Sequence, residues 1–146
     1  MADYEVRRVG AGARLAQAHA VRRSVFIEEQ DVPKDVEMDG RDDEATHFVA
    51  FETGTDRPVG TARVRRLDDS TAKAERVAVL AAHRGNGLGA RLMDHLEETA
   101  RKWGCSAMSL HAQTAVEDFY HACGYETVSD VFEEAGIPHV EMVKPL

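Results

Sequence analysis

The chain has 146 residues, with 26 acidic against 18 basic side chains and a formal net charge of −8. That surplus argues against a nucleic-acid backbone as partner, because neutralising phosphates needs a basic surface. A hydrophobic content of 43% supports a packed core and argues against disorder. The length suits one domain over residues 1–146. No stretch approaches the roughly 20 apolar residues of a membrane span, and the acidic start Asp3-Tyr4-Glu5-Val6 lacks the basic and apolar regions of a secretory signal. A cytoplasmic location is expected, away from membranes, with Cys105 and Cys123 as reduced thiols.

In chain order, Tyr4 to Val9 alternates weakly and predicts a strand. From Ala11 to about Glu29, apolar residues recur at intervals of three and four (Leu15, Ala18, Val21, Val25), the signature of an amphipathic helix. Pro33 closes this part, and Asp35 to Glu44 reads as an acidic loop. Thr46 to Phe51 and Val59 to Leu67 predict a hairpin around the turn cluster Thr53 to Pro58, and Lys73 to Leu80 a third strand. Leu88, Leu92, Met93, Leu96 and Ala100 mark a helix from about Gly87 to Trp103, stopped by Gly104. Ala107 to Ala112 is an apolar strand, and Ala115 to Cys123 a short helix ended by Gly124. Tyr125 to Phe132 and Val140 to Val143 are closing strands around a loop from Glu133 to Pro138. This order, β-α-β-β-β-α-β-α-β-β, predicts an α/β fold with a mixed, mostly antiparallel sheet flanked by helices.

The most informative segment is Val77 to Ala90, where an apolar strand runs through His83-Arg84-Gly85-Asn86-Gly87-Leu88-Gly89-Ala90 into the long helix. Glycines let a backbone approach a ligand closely, and amides converging at a helix N-terminus favour an anion. Arg84 adds a forked cation suited to phosphate, so the segment has the makings of a diphosphate cradle. It lacks the Gly-Lys-Ser/Thr ending of a P-loop. Gly85-x-Gly87-x-x-Ala90 matches a dinucleotide fingerprint literally, but it follows the fourth strand, and the next strand ends in His111-Ala112-Gln113 without an acid. A glycine-rich helix start with no ligand is the remaining alternative.

Arg84-Gly85-Asn86-Gly87-Leu88-Gly89 resembles the R/Q-x-x-G-x-G/A signature of the GNAT N-acetyltransferases. Gln113 to Tyr125 is similar to that family's N-x-x-A-x-x-F-Y-x-x-x-G-F segment, with Gln113 in place of Asn and Tyr125 in place of Phe. Val25 to Pro33, Asp42 to His47, Leu110 to Gln113 and Phe132 to Ile137 extend the resemblance to the ElaA/YjcF-like branch over nearly the whole chain. The resemblance implies acetyl-CoA as co-substrate, its diphosphate on Arg84 to Ala90, its pantetheine arm beside the backbone of Val77, Ala78 and Val79, and Gln113 near that arm. It implies an amine acceptor, from a small molecule or a protein, and allows a homodimer.

Amine acetylation by direct attack needs a proton acceptor for the ammonium and a donor for the leaving thiolate. The resemblance makes Tyr120 the acid, and a phenol titrates near the range of a thiol. Two bases come from the residues themselves. Glu75 lies on the strand leading into the cradle, where a period of two places it on the face of Val77 and Val79; His111 ends the next strand with an imidazole suited to the task. Either could equally be structural. Glu28 and Glu29 could attract a cationic amine or simply end a helix in solvent, and His47 reads as a structural strand residue. Cys123 has no neighbour in sequence to activate it. The seven histidines form no ligand pattern, so no metal is expected. A non-catalytic acyl-CoA sensor is the rival class, with the same cradle but no acid and base.

Overall fold

The computed structural model describes residues 3–10 and 12–146. Eight strands form one sheet: β1 (Tyr4–Val9), β2 (Thr46–Glu52), β3 (Pro58–Arg66), β4 (Thr71–Val79), β5 (Ala107–Gln113), β6 (Glu126–Thr127), β7 (Phe132–Glu134) and β8 (Ile137–Pro145). Their order is β1-β2-β3-β4-β5-β8-β6, with β7 paired to β8. Every pairing is antiparallel except β4 with β5. The mixed, mostly antiparallel sheet expected from sequence is therefore present, flanked by α1 (Ala13–Arg22), α2 (Lys34–Glu37), α3 (Leu88–Lys102) and α4 (Glu117–Ala122).

The two faces of the sheet are covered by different helices. On one, Leu88, Leu92, Met93, Leu96 and Ala100 of α3 pack on Ala62, Val64, Ala72, Ala74, Met108, Leu110 and Met142, all buried. Burying a side chain of this size contributes about 1.5–3 kcal/mol, so this face holds most of the apolar stabilisation. On the other, Ala18 of α1 packs with Val9, Val49 and Phe51, while Val21 and Val25 pack on Ala78 of β4.

The first helix departs from the expected regular α-helix. Ala11 lies outside the described residues, and from Arg23 to Glu29 the chain winds as a π-helix. Each i→i+5 turn takes in an extra residue, a change that recurrence at three and four does not reveal. Near the C-terminus, the expected strand from Tyr125 to Phe132 is broken into β6 and β7. The expected loop after it is instead the β7–β8 hairpin, turned by Ala135 and Gly136, both at positive φ.

The segment read as an acidic loop contains the short helix α2 and a 3-10 turn at Asp42–Glu44, and it is held from below by arginines. Arg22 is 1% exposed; its Nε donates to Glu37 Oε2 at 2.7 Å and its Nη1 to Asp42 Oδ1 at 2.7 Å. Arg63, fully buried on β3, donates to Asp39 Oδ2 at 2.6 Å, Asp42 Oδ1 at 2.8 Å and Glu75 Oε1 at 3.2 Å. Arg76 adds a bond to Glu37 at 3.1 Å. These acids counter buried cations, whereas composition alone suggested a solvated surface. Removing one partner of such a network leaves uncompensated buried charge and costs about 3–5 kcal/mol. Arg63→Leu is accordingly expected to lower stability by about that amount in denaturant unfolding, and Arg57→Leu, at an exposed turn, by less than about 0.5 kcal/mol.

Candidate active site

The parallel pairing of β4 with β5 covers only Thr71–Ala74 against Ala107–Leu110. Beyond that point the strands part, and β4 from Glu75 to Val79 turns an edge free of β5 toward a cleft. A bulge in the β3–β4 register accompanies the divergence: Thr61 faces Ala78 and Arg63 faces Glu75, so two β4 residues stand against one of β3. Arg76 takes up the extra residue at φ 56°, in the left-handed region.

The bulge corrects one sequence reading. Simple alternation put Glu75 on the face of Val77 and Val79. In the structure Ala72, Ala74, Val77 and Val79 contact the α3-side core, whereas Ala78 packs against α1. Glu75 lies on the opposite face from Val77 and Val79, in cross-strand register with Arg63. An inserted residue inverts the parity of everything after it, and alternation counted on one strand cannot detect it.

The cleft has a volume of about 1060 Å³. It is lined at one end by Arg84, Gly85, Gly87, Leu88 and Gly89, along its length by Val77 to Val79, and beyond them by Tyr120, Glu75, His111 and Gln113. One cleft thus collects residues from β4, the glycine turn, β5 and α4. Among the described residues, no backbone N–H from Gly85 to Ala90 donates to a backbone or side-chain acceptor, and Gly87, in the left-handed conformation, caps α3 without a side-chain bond. A Cβ at Gly85 or Gly87 would meet nothing within 4 Å, so their lack of a side chain serves positive φ (82° and 75°) and an open approach. Gly89 differs: a Cβ there would stand 3.0 Å from the Phe119 ring, so this glycine lets α4 close onto α3. Asn86 turns its side chain inward, donating to His83 O at 3.0 Å.

Arg84 is already engaged. Its Nη1 and Nη2 donate to the two oxygens of Glu29 at 2.9 and 2.8 Å, and its Nε donates to Val79 O at 2.9 Å. The hydrogen bond from Arg84 holds the Glu29 carboxyl below its ordinary value. The π-helical stretch thus brings Glu29 against the glycine turn; a reading along the sequence linked it only to an acceptor amine or to solvent. The next residue, Gln30, spans the cleft as well, its Oε1 accepting from Gln113 Nε2 at 2.9 Å.

Tyr120 is 8% exposed, lies edge-on to Phe119 and Tyr125, and among the described residues its hydroxyl has no protein hydrogen bond. Burial, with a smaller contribution from Cys123, raises its pKa and keeps the phenol protonated. Glu75 is bonded by Arg65 Nε at 2.7 Å and by Arg63, with Lys73 Nζ 3.6 Å away. Burial raises its pKa, but the Arg65 hydrogen bond and the charges of Arg63, Arg65 and Lys73 outweigh burial and lower it. His111 Nδ1 lies 2.9 Å from Glu134 Oε1. Glu134 and His139 also line the cleft; the sequence singled out neither, and its signals were the resemblance carried by Phe132 to Ile137 and a variable loop around Glu133 to His139 of the kind that forms acceptor pockets. His47 is structural as expected, its Nε2 donating to Asp42 O at 2.9 Å.

The family profile described as "Acetyltransferase (GNAT) domain" matches residues 16–146. The chain belongs to the GNAT acetyltransferase family. Among curated relatives, it is 40% identical over 132 residues to the uncharacterized N-acetyltransferase YjcF of Bacillus subtilis, covering 90% of this chain and 92% of that one. It is 33% identical over 128 residues to protein ElaA of Escherichia coli, covering 85% and 82%. The crystal structure of ElaA superposes with a TM-score of 0.83 at 28% identity, covering 99% of each chain. A GNAT acetyltransferase of Elizabethkingia anophelis with acetyl-CoA bound shares the fold at a TM-score of 0.76 and 13% identity, covering 98% of each chain. Among the described residues, no helix is long and apolar enough to cross a membrane.

The acidic wall of the cleft predicts a pH response. Burial raises the Asp39 carboxyl, but the hydrogen bonds from Arg63 and the Arg41 N–H, and the charges of Arg63 and Arg76, prevail and bring it down to about 2. A carboxyl depressed in the folded state contributes its full stabilisation above its unfolded value of about 3.9, and loses it as pH falls toward the folded value. The thermal midpoint is expected to fall between about pH 4 and pH 2, and Asp39→Asn to flatten that fall, as followed by calorimetry.

Proposed function

We propose that this chain transfers the acetyl group of acetyl-CoA to a primary amine of a small molecule or protein, by direct attack within a ternary complex. The observation that carries this reading is the continuity of one cleft, from Gly85, Gly87, Leu88 and Gly89, whose amides have no protein acceptor among the described residues, along the open β4 edge, to Tyr120. Amides at a helix N-terminus suit a diphosphate, and Gly85 and Gly87 leave room for it. The β4 edge at Val77, Ala78 and Val79, free of β5 though Val79 O accepts from Arg84 Nε, suits the amide groups of a pantetheine arm, which would pair with it as an added strand. Gln113, bonded to Gln30 across the cleft, stands where the arm would pass.

In the reaction, a base takes a proton from the substrate ammonium and the free amine attacks the thioester carbonyl carbon. The C–S bond then breaks, and the departing sulfur takes the Tyr120 proton. The second proton lost by the nitrogen restores the phenol, so the balance is amide, CoA thiol and one released proton. A buried, protonated phenol fits the donor role. Of the two candidate bases, His111 is favoured, because the Glu75 carboxylate is bound by two arginines and faces a lysine, which lowers its affinity for a proton.

Tyr120→Phe is expected to lower kcat about 10²- to 10⁴-fold, the usual range for general acid–base groups, while leaving the acetyl-CoA Kd unchanged. The measurement is thiol release from acetyl-CoA across an amine panel, with binding followed by calorimetry; unaltered turnover would remove Tyr120 from the mechanism.

Arg84 gives a separate expectation. If its guanidinium exchanges Glu29 for the diphosphate, Arg84→Ala weakens acetyl-CoA binding about tenfold. Glu29→Gln, which removes a competing carboxylate, tightens it. Titration calorimetry at fixed ionic strength checks both signs, and an unchanged Kd in Arg84→Ala would exclude Arg84 from the diphosphate site.

A further inference from the structure

On the face of the sheet away from α3, β5 and its neighbours carry a run of polar side chains. Leu110 and Ala112 of β5 and Val140 and Met142 of β8 belong to the α3-side core, so His111 and Gln113 project to the other face, with Glu141 and His139 as their register partners on β8. The β7–β8 hairpin lies beside them. In β7, Phe132 and Glu134 are two residues apart and share one side, and both meet His111. The Phe132 ring stands edge-on to the His111 imidazole, with centroids 5.1 Å apart, while Glu134 Oε1 lies 2.9 Å from Nδ1.

A carboxylate only accepts hydrogen bonds, so this contact places the imidazole proton on Nδ1 and leaves Nε2 as the basic nitrogen of a cleft-lining residue. His139 lies behind Glu134, too far away for a hydrogen bond to it. Its Nδ1 donates to Ile137 O at 2.7 Å, its Nε2 is 3.7 Å from Glu134 Oε2, and Phe132 stacks on its ring. The other charged groups near the dyad are Glu141, the register partner of His111, and Glu75 across the cleft.

We infer that Glu134 is the positioning residue of the reaction, setting the tautomer and orientation in which His111 accepts the substrate's proton through Nε2. This rests on the acetyl-transfer reading of the same cleft. In the proton-transfer step, the ammonium N–H bond breaks and a new N–H bond forms at His111 Nε2. The resulting imidazolium keeps its Nδ1–H on the Glu134 carboxylate, which therefore stabilises the charge that appears. The hairpin thus contributes to chemistry as well as to the wall of the cleft.

Two measurements separate this inference from the broader function. Nitrogen-15 NMR of the imidazoles in the unliganded protein reads the tautomer directly: the Nδ1–H form is expected for His111, passing to a mixed or Nε2–H form in Glu134→Gln. A proton on Nε2 in the unmodified protein overturns the inference whatever the activity.

In steady-state thiol release, Glu134→Gln is expected to lower kcat about 10- to 100-fold with the acetyl-CoA KM unchanged, and His111→Gln to lower it at least as much. Because Glu134 acts through His111, adding Glu134→Gln to His111→Gln should cost nothing further; an equal additional loss would mean an independent role and defeat the proposal. Glu134 is half-exposed beside a turn, so its replacement by Gln leaves the core intact. Lack of thiol release with every amine would instead count against acetyl transfer itself.

Discussion

Two parallel strands that pair for four residues and then separate create a problem the rest of the molecule answers. Beyond Ala74 and Leu110, β4 has backbone groups with no strand beside them, and unpaired backbone polar groups are costly wherever water is excluded. The bulge at Arg76 accompanies the divergence and turns β4 so that its last residues lead into the glycine turn. The open edge and the amides of Gly85 to Ala90 then form one continuous line of hydrogen-bonding capacity. A ligand bound there as proposed would be met by main-chain groups, for which side chains as plain as Val77, Ala78 and Val79 suffice.

Charge does a different job on the other side of the cleft. Arg22, Arg63 and Arg76 hold Glu37, Asp39 and Asp42 over the sheet, fixing a segment with little apolar burial of its own. Such a network contributes less to net stability than an apolar core of equal volume would. What it supplies is a wall of defined position, because each carboxylate has a specific donor. The same economy constrains Glu75: bound to Arg65 and Arg63, it secures the floor of the cleft and gives up basicity. The Arg84–Glu29 pair is more exposed and correspondingly weaker, as suits a contact that a diphosphate would have to displace.

Tyr120 and His111 approach the cleft from different elements and are held by different forces. The tyrosine is packed between Phe119 and Tyr125 on a helix docked against α3 through the Gly89–Phe119 contact. The histidine sits on the sheet but takes its orientation from a short hairpin. The proposed acid is thereby fixed by apolar packing, and the proposed base by a hydrogen bond from a peripheral element.

Alternation, helical recurrence and glycine punctuation were enough to read β1 to β5, the helices α1, α3 and α4 and the mixed sheet, because each is a local consequence of side-chain direction; the short α2 and the break between β6 and β7 escaped them. The glycine turn was legible for the same reason: positive φ and an unobstructed backbone require glycine, and sequence displays that requirement openly. What lay beyond reach were relations between distant segments. Whether Glu29 meets solvent, an amine or Arg84 depends on a π-helical winding without a periodic signature. Which face Glu75 takes depends on one inserted residue. Glu134 reaches His111 only because β7 folds back along β8. Local residue types determined that a cradle could exist in this chain, and the family resemblance marked Tyr120 as its candidate acid; only the folded backbone decided which charges neutralise one another and which remain available in the cleft.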